Sequence, residues 1–314
     1  MATAKSIDPI EPREPVEPVV SPPAGADGGT ASQARRSSFY LAMRVLPPEQ
    51  REAMYEIYSF CRAVDDIADG DGDRDARRAA LDVWRARIDA MYPGTPVGPV
   101  AAGPTAAATP AAAVTPLPRL AAAVARFDLQ QADFVAVIDG MQMDLDADIQ
   151  APSFEVLDLY CDRVASAVGR LSTQVFGLPR PLGVKLAHHL GRALQFTNIL
   201  RDLDEDAAIN RLYLARESLI GADIAARTPH AVLASPGLPQ ACIWLVRAAR
   251  VHYTEADALM RRAPQAAVKA PRLMSVVYRE TLEKTAARGW TAPRERVRVS
   301  RLRLAALYLR YGMF

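Results

Sequence analysis

The chain is expected to fold as an all-α, single-domain helical bundle, and three observations carry that expectation. Half of its 314 residues are hydrophobic, enough to core one domain of about 250 residues with extensions. Apolar residues recur at helical spacing along most of the chain. Period-two alternation is scarce: "RVRVSRLRL" (296–304) is the one good strand candidate, and it can equally open the last helix.

Residues 1–34 are rich in Pro, Glu, Ala, Gly and Ser and contain no apolar run, so they read as a disordered extension rather than a signal peptide. The domain proper is expected over 35–314. Its first helix covers 47–68, opened by Pro47 and Pro48, residues suited to a helix start. A second helix covers 74–91. Residues 93–118, "PGTPVGPVAAGPTAAATPAAAVTPLP", are uncharged, yet their proline density excludes a spanning helix and marks a flexible insertion loop. Helices follow at 119–126 and 131–144, then at 153–176, 181–207, 239–262 and 271–288, with a last one near 300–311. No window supplies about 20 uncharged apolar residues, so no transmembrane helix is expected.

Composition excludes several classes of function. A net charge of +2 carries no nucleic-acid signature. Three cysteines (Cys61, Cys161, Cys242) without a C-x-x-C pair fit a reducing cytoplasm. Four histidines are few; His188 and His189 are adjacent, and a helix is expected to aim them apart. Nothing resembles H-E-x-x-H, a Zn site, a Walker loop or G-x-G-x-x-G.

Two stretches carry chemistry. In "CRAVDDIADG" (61–70), Asp65 and Asp69 point within about 40° of each other on a helix, while Asp66 turns away. Tyr58 and Arg62 join their face; Met54, Ile57, Phe60, Cys61, Val64 and Ala68 form the apolar stripe. In "ALQFTNILRDLDEDAAINRLYL" (193–214), Gln195, Asn198, Asp202 and Asp206 fall within about 80°. Arg201 flanks them, and Asp204 and Glu205 diverge. Like charges four apart repel in a bare helix, so either water screens each pair or a cation sits between them. One D-x-x-x-D is usually a solvated face; two, each in an apolar helix beside an Arg, point to a site. Carboxylate oxygens suit Mg²⁺, which takes one or two of them together with substrate phosphates. Facing aspartate pairs therefore suit a diphosphate, with an apolar cavity between them for a prenyl chain.

These residues resemble the squalene/phytoene synthase family, which joins prenyl diphosphates head to head. "SSFYLAMRVLPPEQREAMYEIYSFCRAVDDIADG" (37–70) is similar to its first aspartate-rich region. "YCDRVASAVG" (160–169) is similar to its central helix, and "NILRDLDEDAAINRLYLARE" (198–217) to its second aspartate-rich region. Residues 270–290 and the following "RVRVSRLRL" look most like the bacterial branch that makes presqualene diphosphate for squalene and hopanoids. The resemblance implies an isoprenoid-synthase-type bundle around a central prenyl cavity, in a cytoplasmic prenyltransferase acting on farnesyl diphosphate.

The resemblance also assigns roles. Asp65, Asp69, Asn198, Asp202 and Asp206 hold two to three Mg²⁺ ions with the substrate diphosphates. Arg62 and Arg201 supply forked donors to diphosphate oxygens, and Gln195 stands beside them. Tyr58, Tyr160 and Tyr213 line the site, where an aromatic face stabilises cationic carbon. Phe39, Val164, Ala165, Ala167, Val168 and Gly169 shape the prenyl pocket, although small residues equally serve tight helix packing. Two positions depart from the family pattern. Arg36 replaces a small hydroxyl residue, and His252 stands where carotenoid-forming relatives carry Tyr, which argues against a carotenoid-type product. The alternatives are a phytoene synthase using geranylgeranyl diphosphate, a complete NADPH-dependent squalene synthase, and a non-enzymatic assembly factor. Residues 288–310 contain seven Arg and one Glu. They read either as a solvated helix edge or as a peripheral contact with anionic lipid at the inner face of the membrane. Downstream pathway enzymes are further candidate partners.

Overall fold

The computed structural model describes residues 42–92, 116–146 and 149–312; residues 1–34, Arg36, Phe39 and nearly all of the 93–118 insertion lie outside them. The described helices belong to one compact unit. α1 (Pro48–Asp69) starts on its proline pair and buries Met54, Ile57, Phe60, Val64 and Ala68, the stripe read from the sequence. α2 (Arg74–Asp89) is capped by Asp73, whose carboxylate accepts from the amides of Asp75 and Ala76. α3 (Pro118–Phe127) and α4 (Gln131–Asp146) follow.

The stretch expected as one helix over 153–176 is interrupted. α5 (Phe154–Cys161), capped by Ser153, passes through a π turn (Asp162–Ser166) into α6 (Ala167–Val175). Such turns insert one residue into the ladder and concentrate at functional sites. Here the turn is pinned by Arg192, only 4% exposed. Its guanidinium donates to Asp158 at 2.7 and 2.8 Å, to Ser166 at 3.0 Å and to Asp162 at 3.2 Å. Gly191 makes room for the approach, since a Cβ there would lie 2.8 Å from the Ser166 backbone.

α7 (Arg180–Arg201) is buried on nearly every side, through Leu186, Leu190, Ala193, Phe196, Ile199 and Leu200 among others. A helix buried to this extent belongs at a core centre, and α6, α11 (Leu238–Arg261), α12 (Lys269–Arg288) and the π turn pack around it. The expected continuous helix over 181–207 breaks at Asp202 (φ −105°, ψ 19°), and α8 (Leu203–Ala208) resumes beyond it. Two five-residue helices, α9 (Arg216–Ile220) and α10 (Pro229–Leu233), were not foreseen. The strand candidate has no regular structure over 296–300, and its remainder opens α13 (Arg301–Gly312). Among the described residues the β pairing is a lone parallel bridge, Gln150 to Leu212. No helix of the described residues is long and apolar enough to cross a membrane.

Candidate active site

The C-terminal end of α1 and the α7–α8 junction converge on Asp144, near the end of α4. Asp144 is 6% exposed and accepts from the Tyr213 hydroxyl at 2.8 Å and the Tyr160 hydroxyl at 3.1 Å. The two tyrosine rings stack with centroids 5.0 Å apart. Burial drives the Asp144 carboxyl up, against the opposing pull of Arg211 and both hydroxyls. Burial and the Asp144 charge likewise hold Tyr160 and Tyr213 protonated, well above the usual phenol range.

On the α1 side Asp65 is raised to about 6, first by burial and then by Asp69. On the α8 side Asp206 is raised to about 7, first by burial and then by Asp202. Asp144 acts electrostatically on both. The aspartate pairs separated by about 140 residues therefore face one polar centre. Arg211 ties the two sides directly: it donates to Asp69 at 2.6 Å and to the Ala68 carbonyl at 3.3 Å.

The arginines expected to await diphosphate are engaged within the chain. Arg62 bridges Asp65 and Asp66, both at 2.5 Å. Arg201 grips Asp202 with its fork, Nε at 2.7 Å, and also bonds Tyr278. Their present contacts place positive charge on the motif carboxylates. Arg296, read from the sequence only as part of a basic tail, reaches Asp202 at 3.0 Å and Glu205 at 3.5 Å. Arg294 grips Asp204 at 2.8 Å, and Arg303 reaches Glu280 at 2.8 Å. So much of the basic segment folds against acidic groups rather than forming a free edge.

Other expected site residues divide in two. Tyr58 stands one turn before Arg62 and is half-buried. Asn198 donates to Gln195 at 3.4 Å, while its own carbonyl oxygen is buried with no hydrogen-bond partner among the described residues. Val164, Ala165 and Val168 are half-buried along the π turn and α6. Gly169 lies where α6 meets α7: a Cβ there would lie 3.1 Å from the Ala187 Cα. Ala167 is fully buried. His252 does not join the acidic centre; its neighbours are His188, His189 and Phe196. A cleft of about 740 Å³ between α1 and α3 has an apolar wall that includes Ala53, Tyr55, Ala123 and Phe127, and a rim of charged residues such as Glu56 and Arg119. On α1 its wall ends at Glu56, more than two turns before Asp65.

The α-helical bundle thus gathers two aspartate pairs, half-buried or exposed, around the buried Asp144. The squalene/phytoene synthase family model matches residues 32–303, and the chain belongs to that family of prenyltransferases. It is 50% identical to the presqualene diphosphate synthase of Sinorhizobium fredii, over 92% of this chain and 98% of that one. It is 50% identical to the Rhodopseudomonas palustris presqualene diphosphate synthase, over 88% of this chain and 93% of that one. The phytoene synthase of Narcissus pseudonarcissus matches at 30%, over 88% of this chain and 63% of that one. Among solved structures, a dehydrosqualene synthase in complex with ligand superposes with a TM-score of 0.69 at 25% identity, covering 89% of this chain and 93% of that one.

Proposed function

We propose that the protein condenses two molecules of farnesyl diphosphate into presqualene diphosphate, releasing one diphosphate. The observation that carries this reading is the pair of aspartate motifs gathered around the buried Asp144, in a chain half identical to synthases of that name over nearly its whole length. The lower identity to phytoene synthases favours this product over the carotenoid one.

The donor set fits Mg²⁺. Asp65 and Asp206 are held above the usual carboxylate range by burial and by like charge, and a cation would relieve both. The orphaned Asn198 oxygen adds a neutral donor on the face that carries Asp202. Asp65, Asp69, Asn198, Asp202 and Asp206 would hold the metal, in two to three ions. Bound there, Mg²⁺ would supply Lewis-acid neutralisation of diphosphate charge.

The chain's own residues do the rest. The forks of Arg62, Arg201 and Arg211 sit on motif carboxylates and turn to phosphate oxygens once the carboxylates have another counter-ion. In the reaction, the allylic C–O bond of one farnesyl diphosphate breaks and its electron pair leaves with the diphosphate. The allylic double bond of the second substrate attacks the cationic carbon, and loss of a proton closes a cyclopropane that keeps the other diphosphate. Tyr160 and Tyr213, fixed by Asp144, present aromatic surface that stabilises the cation. Prenyl chains lie along the half-buried Val164, Ala165 and Val168, away from water that would quench the cation.

The lipid substrate and product also suit a peripheral contact with anionic membrane, supported by the exposed Leu302 (86%) and Leu309 (53%) of α13 beside Arg298 and Arg310. The deciding experiment for the reaction is product analysis with farnesyl diphosphate and Mg²⁺, with and without NADPH. Presqualene diphosphate in both cases is expected. Squalene on adding NADPH, or faster turnover of geranylgeranyl diphosphate to phytoene, would overturn the choice of product.

A further inference from the structure

The first metal-binding chemistry on α7 is not at its aspartate end. His188 and His189, in the third turn of the helix, meet His252 of α11. Their ring centroids lie 4.8 Å (188–189), 5.2 Å (189–252) and 5.8 Å (188–252) apart. The Nδ1 atoms of His189 and His252 are 3.1 Å apart, and one ligand nitrogen from each of the three rings falls within a 4.8 Å spread. Adjacent residues on a helix diverge by about 100°, so this convergence needs the third ring from α11 to lie against both.

We infer that His188, His189 and His252 form a binding site for a borderline transition-metal cation of the Zn²⁺ class, separate from the carboxylate site and clamping α7 to α11. The geometry is near what such an ion requires. Nitrogens at Zn–N distances in a tetrahedral shell lie about 3.3 Å apart, and the His189–His252 spacing already matches. The His188 nitrogen lies within 4.8 Å of the other two. All three rings are half-buried, so an ion can enter and water can fill the remaining position. Desolvation keeps all three imidazoles below their ordinary proton affinity, with neighbouring histidines adding to the effect at His188 and His252, which favours the neutral rings that ligate a metal. The charges around the triad tolerate a cation: Arg192 opposes it, while Asp158, Asp162 and Glu255 favour it. Imidazole selects Zn²⁺, Co²⁺, Ni²⁺ or Cu²⁺ over Mg²⁺, which prefers oxygen. His188 is about 20 Å along the helix from Asp202 at 1.5 Å per residue, so the two sites can fill independently.

The test uses full-length protein without a histidine tag, held in excess Mg²⁺ to occupy the carboxylates. Zn²⁺ is added, and bound metal is counted after desalting while Tm is followed. Co²⁺ in its place gives visible ligand-field bands that report nitrogen ligands directly. One equivalent of bound Zn²⁺ is expected, with Tm raised by about 5 °C at a hundredfold excess over Kd. His252→Gln and His189→Gln should each abolish the uptake, the Tm rise and the Co²⁺ bands. His230→Gln, at the exposed remaining histidine, should leave them unchanged. Circular dichroism of the variants establishes that they fold; if one does not, the other and the wild-type stoichiometry decide. Substoichiometric binding by the wild type, or Co²⁺ bands that survive both substitutions, would overturn the site.

Discussion

Arg211 Nη1 lies 2.6 Å from Asp69 Oδ1, joining residues 142 positions apart. The contact links the loop after the second aspartate motif to the end of the first. It makes Arg211 a counter-charge for both sides, since it also lowers the proton affinity of Asp206 and Asp144. Replacing Arg211 with Gln removes that charge and leaves four acidic groups around a centre meant for anions. Turnover should fall by about tenfold or more, and the acid limb of the pH–rate profile should move to higher pH. Arg211→Lys keeps the charge without the fork, and should recover the position of the limb but not the full rate.

The metal assignment has a simple consequence. Asp65→Asn and Asp202→Asn should each fold with wild-type helicity yet lose turnover by about 100-fold or more, because each removes a charged ligand. Near wild-type rates in limiting Mg²⁺ would remove these residues from the metal site.

Asp144 holds two tyrosine hydroxyls with its two oxygens. Asn in its place accepts with one oxygen and presents an amide donor to the other hydroxyl, which must then turn its lone pair inward. Asp144→Asn should therefore cost about 1–3 kcal/mol in urea unfolding. It should also lower kcat, because the stacked Tyr160–Tyr213 pair loses its fixed orientation. Tyr213→Phe, which removes one donor, should cost less stability than Asp144→Asn.

What the sequence disclosed follows from periodicity. The D-x-x-x-D faces repeat at helical spacing inside apolar helices, so both were legible, as were most helix positions. Asp144 stands in "MQMDLDADIQ" among other acids, and only the approach of Tyr160 and Tyr213 singles it out. Arg211 and Arg296 lie outside helices, so no wheel aims them at the motifs. The bend at Asp202 was hidden because the pattern around it is helical on both sides. Arg201, Arg296 and the Arg294–Asp204 pair act on that bend from the side chains. α9 and α10, at five residues each, are too short to show a period. The histidine triad escaped notice because its third member comes from a helix some 60 residues downstream of the first two.

The last prediction turns on the sign of two pKa shifts. Asp65 and Asp206 are raised to about 6 and about 7 in the folded chain, whereas an unfolded chain ionises them near the ordinary value of 3.8. Between roughly pH 4 and 7 the folded protein thus holds protons that the unfolded one has released, so stability falls as pH rises through this window. The histidines act in the opposite direction: His252, held down to about 4, adds stability as pH rises toward 6.5. The total slope is therefore ambiguous, and the difference between proteins is the clean readout. In chelator-treated protein the double variant Asp65→Asn/Asp206→Asn removes only the carboxylate contribution. It should melt above the wild type at pH 8, by an amount that shrinks toward pH 5, where the wild-type carboxyls are already protonated. Saturating Mg²⁺ should raise the wild-type Tm at pH 8 and leave the double variant nearly unmoved. A Tm difference independent of pH would show that these carboxylates are not strained by burial and mutual repulsion, and that the centre is wetter than its geometry indicates.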